Sequence, residues 1–502
     1  MTKILCDDRG EEMGRKRKYR NSGYSEGGGS MSKKTLKAWR PAHYSAVSDI
    51  DQNLKTLRDR AADLTMNSAL GASAIKTQVS GVISEGLKVF PKIDNEALGM
   101  SVESARQWCR RVKSEFEFWA SSIECDFYKR NNFYEMQKIA YNAELMDGDA
   151  FVLMRRRTGG AYSLRIQLIE AQRVSNPESG LVEMKRGDNR IVNGIEVDRN
   201  GTMQAIWITN KIWDEYTTTT PTTEWQRVKV RGEKSGARNV LMLSNDTRIN
   251  QFRGEPYLAP VIEVLKNVDR YTEAELTSGI IRSYFSVFFT QLSSLGTNYG
   301  LNEIAPEEEE IDPAEYRLGS GVINALPQGV DVKAINSTGA SVFESFLKIF
   351  SELTGAALGL PYEVLLKKFQ SSYSASKAAL LQAENEFRQR RKAFVTDFCA
   401  PIYEIFLDEA VALGRITAPG YFTDPKKRYL YRQANWYNQT NNILDVTKEI
   451  SAAGQRIELG LSTHEKEAAE LYGVDFFENI RQQEVERRIL SEKILESADI
   501  TE

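Results

Sequence analysis

Only two histidines, His43 and His464, occur in the 502 residues. They stand far apart in polar segments, without the partners at recognisable spacing that a metal site or a catalytic triad needs. The four cysteines, Cys6, Cys109, Cys125 and Cys399, are scattered with neither zinc spacing nor pairing, which fits a reducing compartment and argues against a disulfide framework. There is no G-x-x-x-x-G-K-[ST], which disfavours a P-loop ATPase, and the glycines of "SSLGTNYG" do not form G-x-G-x-x-G. No run of about 20 apolar residues exists to span a membrane. Met1 to Ser30 is polar throughout, without the apolar stretch of a signal peptide. Strong net charge is missing too: the balance is −3. A protein that grips DNA tightly does so by neutralising phosphates and is usually basic, so any contact with DNA here is loose. No catalytic residue, metal or cofactor is expected.

What remains is an ordinary globular composition, 41% hydrophobic and 27% charged, in a chain long enough for several structural units. Residues 1–40 read as an arm, with "RKRKYR" and the spacer "GGGS". The arm is either a solvated tail or a nucleic-acid or partner-binding element, and Met31 offers an internal start. Helical spacing follows from Asp49 to Ala74; "QVSGVISEGLKVFP" reads as strand material with a glycine turn. Trp108, Val112, Phe116 and Trp119 mark one face of an amphipathic helix, and a second helix runs from Phe133 to Met146. "MDGDAF" could be a fragment of a calcium loop, but Phe151 to Met154 supply no further ligands, and a tight turn entering a strand is the better reading. "DAFVLMRRR", "YSLRIQLIEAQRVS", "NGIEVDRNGTMQAIWITN" and "VLMLS" alternate as strands, with "TTTTPTTEW" as an exposed loop. This half is α+β.

Behind Pro260 the character changes. Val261, Leu265, Val268, Ala274, Leu276, Ile280, Tyr284 and Phe288 keep an apolar stripe for about eight helical turns, roughly 45–50 Å. A compact insertion, Gln291 to Ala340, carries the acidic run Glu307, Glu308, Glu309 and Glu310. Helix resumes with Phe343, Phe346, Leu347, Phe350 and Leu353 on one side. Then comes a short basic, serine-rich loop with Lys367, Lys368, Gln370, Ser371 and Ser372, and a second long helix from Ser374 to Gly414, interrupted near Pro401. Asp445 to Ser497 is again helical. Helices entering and leaving the insertion suggest a hairpin with a small domain at its tip.

"RINQFRGEPYLAPVIEVLKNVDRYTEAEL" and "LGLPYEVLLKKFQSSYSASKAALLQAENEFRQRR" resemble the portal proteins of tailed phages, lambda type. The early "NSALGASAIKTQVSGVISEGLKV", "ECDF" and "MDGDAFV", and the late "GLSTHEKEAAELYGVDFFENIRQQEVER", match the family in order, so the likeness covers Leu54 to Arg488. Val446 stands where the family often has proline, and the arm before Met31 has no counterpart. The resemblance implies an α+β portal fold. Its parts fall in order: arm 1–40, wing 41–256, first stem helix 257–290, clip 291–340, second stem helix 341–360, tunnel loop 361–374, long wing helix and return 375–440, crown 441–502. It implies a ring, commonly a dodecamer, at one capsid vertex, assembled in the host cytoplasm with major capsid and scaffolding proteins. Terminase large subunit would package double-stranded DNA through that ring, and DNA would leave through a head–tail adaptor. The five loop residues become candidates for channel contact with DNA, and Glu307 to Glu310 for motor or adaptor docking. A terminase-like nuclease or a head-completion adaptor are the rival readings.

Overall fold

A computed structural model describes residues 28, 30, 33–36, 38–177, 183–210, 224–283, 288–289, 324–325, 340–370, 372–438 and 446–499. The basic run of the arm, Met31, most of the threonine-rich loop and the acidic run Glu307–Glu310 lie outside them.

The N-terminal body begins with α1 (Leu54–Asn67) and α2 (Ala69–Val82). Ser68 separates them in extended conformation, and its hydroxyl caps α2 by accepting from the Gly71 amide at 3.4 Å. Gln78 to Val82, expected as strand, is therefore helical. The β-branched composition gives way to tertiary packing, and the real strand, β1 (Lys88–Pro91), starts after the turn at Gly86, whose φ is +122°. Gly81 serves close approach instead: a Cβ there would lie 2.5 Å from the Phe387 ring. α3 (Val102–Ala120) buries Trp108, Val112, Phe116 and Trp119. α4 (Phe133–Asp147) opens on a capping box between Asn132 and Glu135 and ends at Gly148, φ +87°.

β2 (Asp149–Arg156) is the centre of an antiparallel sheet ordered β3–β2–β9, with β3 at Leu164–Ile169 and β9 at Val240–Ser244. Its residues alternate between two cores. Ala150, Val152 and Met154 join the helical core with Phe116, Phe133 and Phe406, while Phe151 and Leu153 face the other core with Ile195, Ile206 and Ile208. That second core lies under an antiparallel meander of β4 (Glu183–Arg186), β5 (Asn189–Val192), β6 (Ile195–Val197), β7 (Met203–Thr209) and β8 (Trp225–Lys229). A sheet buried on both faces explains why "AFVLM", Ala150 to Met154, is apolar throughout.

α5 (Ile262–Ser283) follows, 22 residues or about 33 Å, shorter in its described extent than the stripe suggests. The stripe also divides: Val261, Leu265 and Val268 are buried, whereas Leu276 is 65% exposed. Two residue pairs, β10 (Phe288–Phe289) and β11 (Asn324–Ala325), run parallel, and α6 (Ala340–Leu358) returns along α5. Tyr271 packs on Phe346 at 4.1 Å and on Phe343 at 5.9 Å between centroids. Leu353, grouped with those phenylalanines by spacing, points outward instead, while Ser351 and Thr354 are buried.

A five-residue helix α7 (Tyr362–Leu366) precedes α8 (Tyr373–Phe394), and α9 (Ala400–Ala412) continues α8 through a π-turn at Val395–Cys399. The interruption expected near Pro401 is thus a widening of the helix rather than a break: proline supplies no amide and crowds the preceding carbonyls. α10 (Pro425–Tyr431) and β12 (Ala434–Tyr437), which pairs with β1, close the body. α11 (Val446–Glu458), α12 (His464–Tyr472) and α13 (Phe476–Asp499) form the C-terminal unit.

Candidate functional site

The basic loop sits on a braced platform. Gly359 (φ +70°) ends α6, and the Leu360 amide donates back to the Gly355 carbonyl at 2.8 Å. Gly355 permits this, because a Cβ there would lie 2.3 Å from the Leu360 oxygen. Leu358, Leu360, Val364 and Leu365 are buried, and the Ser73 hydroxyl donates to the Leu365 carbonyl at 2.7 Å. Behind them Tyr257 accepts from Gln78 at 2.7 Å and donates to the Leu358 carbonyl, with the Arg390 guanidinium 4.7 Å from its ring centroid.

From this platform Lys367, Lys368, Phe369 and Gln370 emerge exposed. Lys367 adopts left-handed backbone (φ 56°, ψ 33°) as the cap of α7, and the Lys368 amide donates to the Glu363 carbonyl at 3.0 Å. Lys368 Nζ lies 4.0 Å from Glu344, both groups being well exposed, so the pair is weak and exchangeable. Ser372 is the N-cap of α8, accepting from the Ala375 amide at 3.4 Å. Its hydroxyl holds the helix end, a role that spacing alone did not assign. Ser371 lies outside the described residues. The loop thus brings two cations, an amide side chain and the exposed aromatics Phe369 and Tyr373 to one place. Phe369 and Tyr373 were not singled out from sequence; the available signal was an aromatic directly after the lysine pair and a second at the start of the next helix.

The described side chains of the loop are the ammonium groups of Lys367 and Lys368, the Phe369 ring, the Gln370 amide and the Ser372 hydroxyl. His43 and His464 are both exposed, and the His464 ring stacks on Phe476 at 5.1 Å. Among the described residues no group of three or more His, Cys, Asp or Glu side chains could hold a metal ion, and no helix is long and apolar enough to cross a membrane.

A second feature, invisible in local sequence, fixes the segment leading into α5 to the α+β half. Asp149, fully buried, receives Arg253 through Nε (2.7 Å) and Nη2 (3.0 Å), Arg58 Nη2 (3.0 Å) and the Gly254 amide (3.1 Å). Arg253 also donates to the carbonyls of Ala171 (2.7 Å), Val174 (2.8 Å) and Asn193 (2.6 Å). The two arginines hold the Asp149 carboxyl below its ordinary range despite burial, which pushes the other way. Next to it Asp147 is pushed up to about 6 by burial, with one carboxylate oxygen unpartnered. Gly148 and Gly254 let the two backbones touch: a Cβ on Gly254 would fall 1.8 Å from the Gly148 oxygen. "MDGD" is therefore a turn that presents a buried acid to the "RGEP" segment leading into α5.

The class of protein follows from the sequence: the model of the lambda family of phage portal proteins matches residues 32–391, and the chain belongs to that family. The portal protein B of Escherichia phage lambda is 26% identical over 490 residues, covering 92% of this chain and 89% of that protein. The portal protein of Escherichia phage N15 is 24% identical over the same shares. Among solved structures, a chain from the neck of a native gene transfer agent particle, computed with C12 symmetry, matches with a TM-score of 0.39 at 10% identity, over 82% of this chain and 92% of that one. A chain from the virion of a native gene transfer agent particle matches with a TM-score of 0.41 at 11% identity, over 83% and 92%. The family assignment rests on the sequence matches.

Proposed function

We propose that the chain is the subunit of a portal ring at one capsid vertex, a head–tail connector through which double-stranded DNA is packaged and later ejected. Family membership carries this reading, and the uncovered side of the α5–α6 hairpin supports it. Leu276, Ile349 and Leu353 are each more than half exposed while the facing sides of the helices are packed. A heterologous contact with a second copy would cover that strip, and such contacts close into rings. In this reading α5 and α6 form the stem, residues 291–340 the clip, the loop at 367–372 the tunnel loop, and α11–α13 the crown. The ring is a dodecamer with a structural rather than catalytic role. It meets terminase large subunit and then the head–tail adaptor through the clip, where Glu307 to Glu310 set docking charge, and major capsid and scaffolding proteins around its girth. Negative-stain imaging and sedimentation of the purified chain should show closed rings with a central channel; compact monomer under all conditions would reject the proposal.

Lys367, Lys368, Gln370, Ser371 and Ser372 lie on the segment that would face the channel. A moving duplex must be touched without being held, because each fixed lysine–phosphate contact releases counterions and favours arrest. Few, exposed lysines on a short loop meet that need. Replacing Lys367 and Lys368 by Ala should leave ring mass unchanged and impair DNA packaging or retention in a salt-dependent way. Rings that fall apart first would place these lysines in a subunit contact instead, and intact rings with normal packaging would remove them from both roles.

A further inference from the structure

The three C-terminal helices bury very little apolar surface. Among the described residues, Ala453 and Ala469 are their buried apolar side chains, while Val446, Ile450, Leu459, Leu461, Val485 and Ile489 are exposed. They hold to one another through Arg456, which forks onto Glu467 at 2.9 and 2.6 Å, and through His464 stacked on Phe476. They hold to the rest of the chain mainly by charge. Lys113 of α3 reaches Asp475 at 3.1 Å and Glu478 at 3.4 Å, and Arg106, two turns earlier, lies 4.4 Å from the Phe477 ring centroid. On the other side Lys377 of α8 meets Glu449 at 3.0 Å, and Lys448 lies 5.2 Å from the Tyr373 ring centroid. Between α13, α3 and β1 a groove of about 480 Å³ remains, lined in part by Phe90, Val102, Cys109, Glu465 and Phe477.

A unit docked by half-exposed ion pairs across an open groove belongs to the least stable part of a fold. Its attachment weakens as salt shortens the reach of charge, from about 10 Å at 0.1 M to about 3 Å at 1 M. Tyr373 and Lys377 stand one turn apart at the start of α8, directly after the basic loop, so the same docking that seats α13 on α3 also grips the loop's exit. We propose that α11–α13 act as a charge-latched unit that docks on and lifts off α3, and that the docked position clamps the first turn of α8. The basic loop is thereby freer when the C-terminal unit is released. This inference does not depend on the chain forming a ring.

Cys109 provides the reporter. It lines the groove half-buried, whereas Cys125 and Cys399 are fully buried. In a full-length Cys6→Ser background, maleimide labelling of Cys109 should accelerate with salt in the otherwise unmodified chain. Asp475 is a useful second handle: Oδ1 caps α13 by accepting from the Phe477 amide at 3.0 Å, while Oδ2 takes Lys113. Asp475→Asn keeps a good cap and removes the ion pair, so it and Lys113→Ala should each raise the labelling rate at low salt by about fivefold and flatten its salt dependence. Hydrogen exchange across residues 369–377 should rise in the same variants. Labelling that ignores both salt and Asp475→Asn would overturn the latch. Accelerated labelling with unchanged exchange at residues 369–377 would overturn the clamp.

Discussion

Arg253→Ala tests the junction between the α+β half and the segment leading into α5. Arg253 is 1% exposed and donates to both oxygens of Asp149 and to three carbonyls. After truncation Asp149 keeps only Arg58 and the Gly254 amide. Removing one partner of a buried ion pair costs about 3–5 kcal/mol, and each carbonyl that water cannot reach adds about 1–3 kcal/mol. Water entering the vacated space offsets part of the second figure, so a net loss of about 4 kcal/mol is expected, against a total of about 5–15 kcal/mol for a typical domain. Arg253→Lys should recover less than half, since an ammonium cannot fork onto a carboxylate while also reaching the carbonyls. Urea unfolding followed by tryptophan fluorescence measures each variant. Asp149→Asn combined with Arg253→Ala should cost clearly less than the sum of the two single changes, because each single change already breaks the Asp149–Arg253 pair, which the double change loses only once, while buried Arg58 loses its carboxylate partner in both the single and the double Asp149 variants. A loss below about 1 kcal/mol for Arg253→Ala, or strict additivity in the pair, would refute the reasoning.

Asp147 gives a pH signature of opposite sign to Asp149. Its folded pKa, about 6, lies above the ordinary 3.8, so the folded protein holds an extra proton between those values and loses stability as pH rises through that window. Asp147→Asn should therefore stabilise above pH 6, by at most ~3 kcal/mol, with the gain vanishing near pH 4; equal effects in denaturant melts at both ends would contradict it. Lys367→Gly should raise stability by about 0.5 kcal/mol by relieving left-handed backbone, whereas Lys367→Ala should leave it nearly unchanged. Gly81→Ala should cost about 1–3 kcal/mol in the same melts by pushing Phe387 aside, and adding Phe387→Leu should recover part of it. Leu353→Glu should abolish ring mass in sedimentation while leaving the far-ultraviolet circular dichroism of a folded monomer.

Periodicity made the scaffold legible where a segment's partners are local or its pattern is strong. Trp108, Val112, Phe116 and Trp119 announce α3 because each is three or four residues from the next and all are buried. A disturbance near Pro401 and a turn at Gly148 were also legible from single-residue chemistry, though the first is a π-turn within a continuous helix rather than a break, and the second also caps α4. The end of α2 misled because Gly81 looks like a turn residue, and its purpose, making room for Phe387 of α8, depends on a helix some 300 residues away in the chain, as the neighbouring bond from Arg391 to the Gly81 carbonyl spans 310 positions. Asp149 and Arg253 are 104 positions apart, and nothing beside either one names the other. In the loop, the lysines were evident, but α7 is too short to show periodicity and Ser372 could not be told from its neighbours until its amide partner was visible.

The caps on either side of the basic loop set its reach. α7 ends at Leu366 and α8 begins at Tyr373, leaving the six positions 367–372 between two anchored helices. At about 3.5 Å per extended residue the strand between them is ~20 Å long, and a strand tied at both ends can project only about half of that. In the proposed ring the loop is then a short bristle rather than a hinged flap. The bore of the channel would be set by where α7 and α8 stand, and a wider or narrower passage would require those helices, with everything packed behind them, to move.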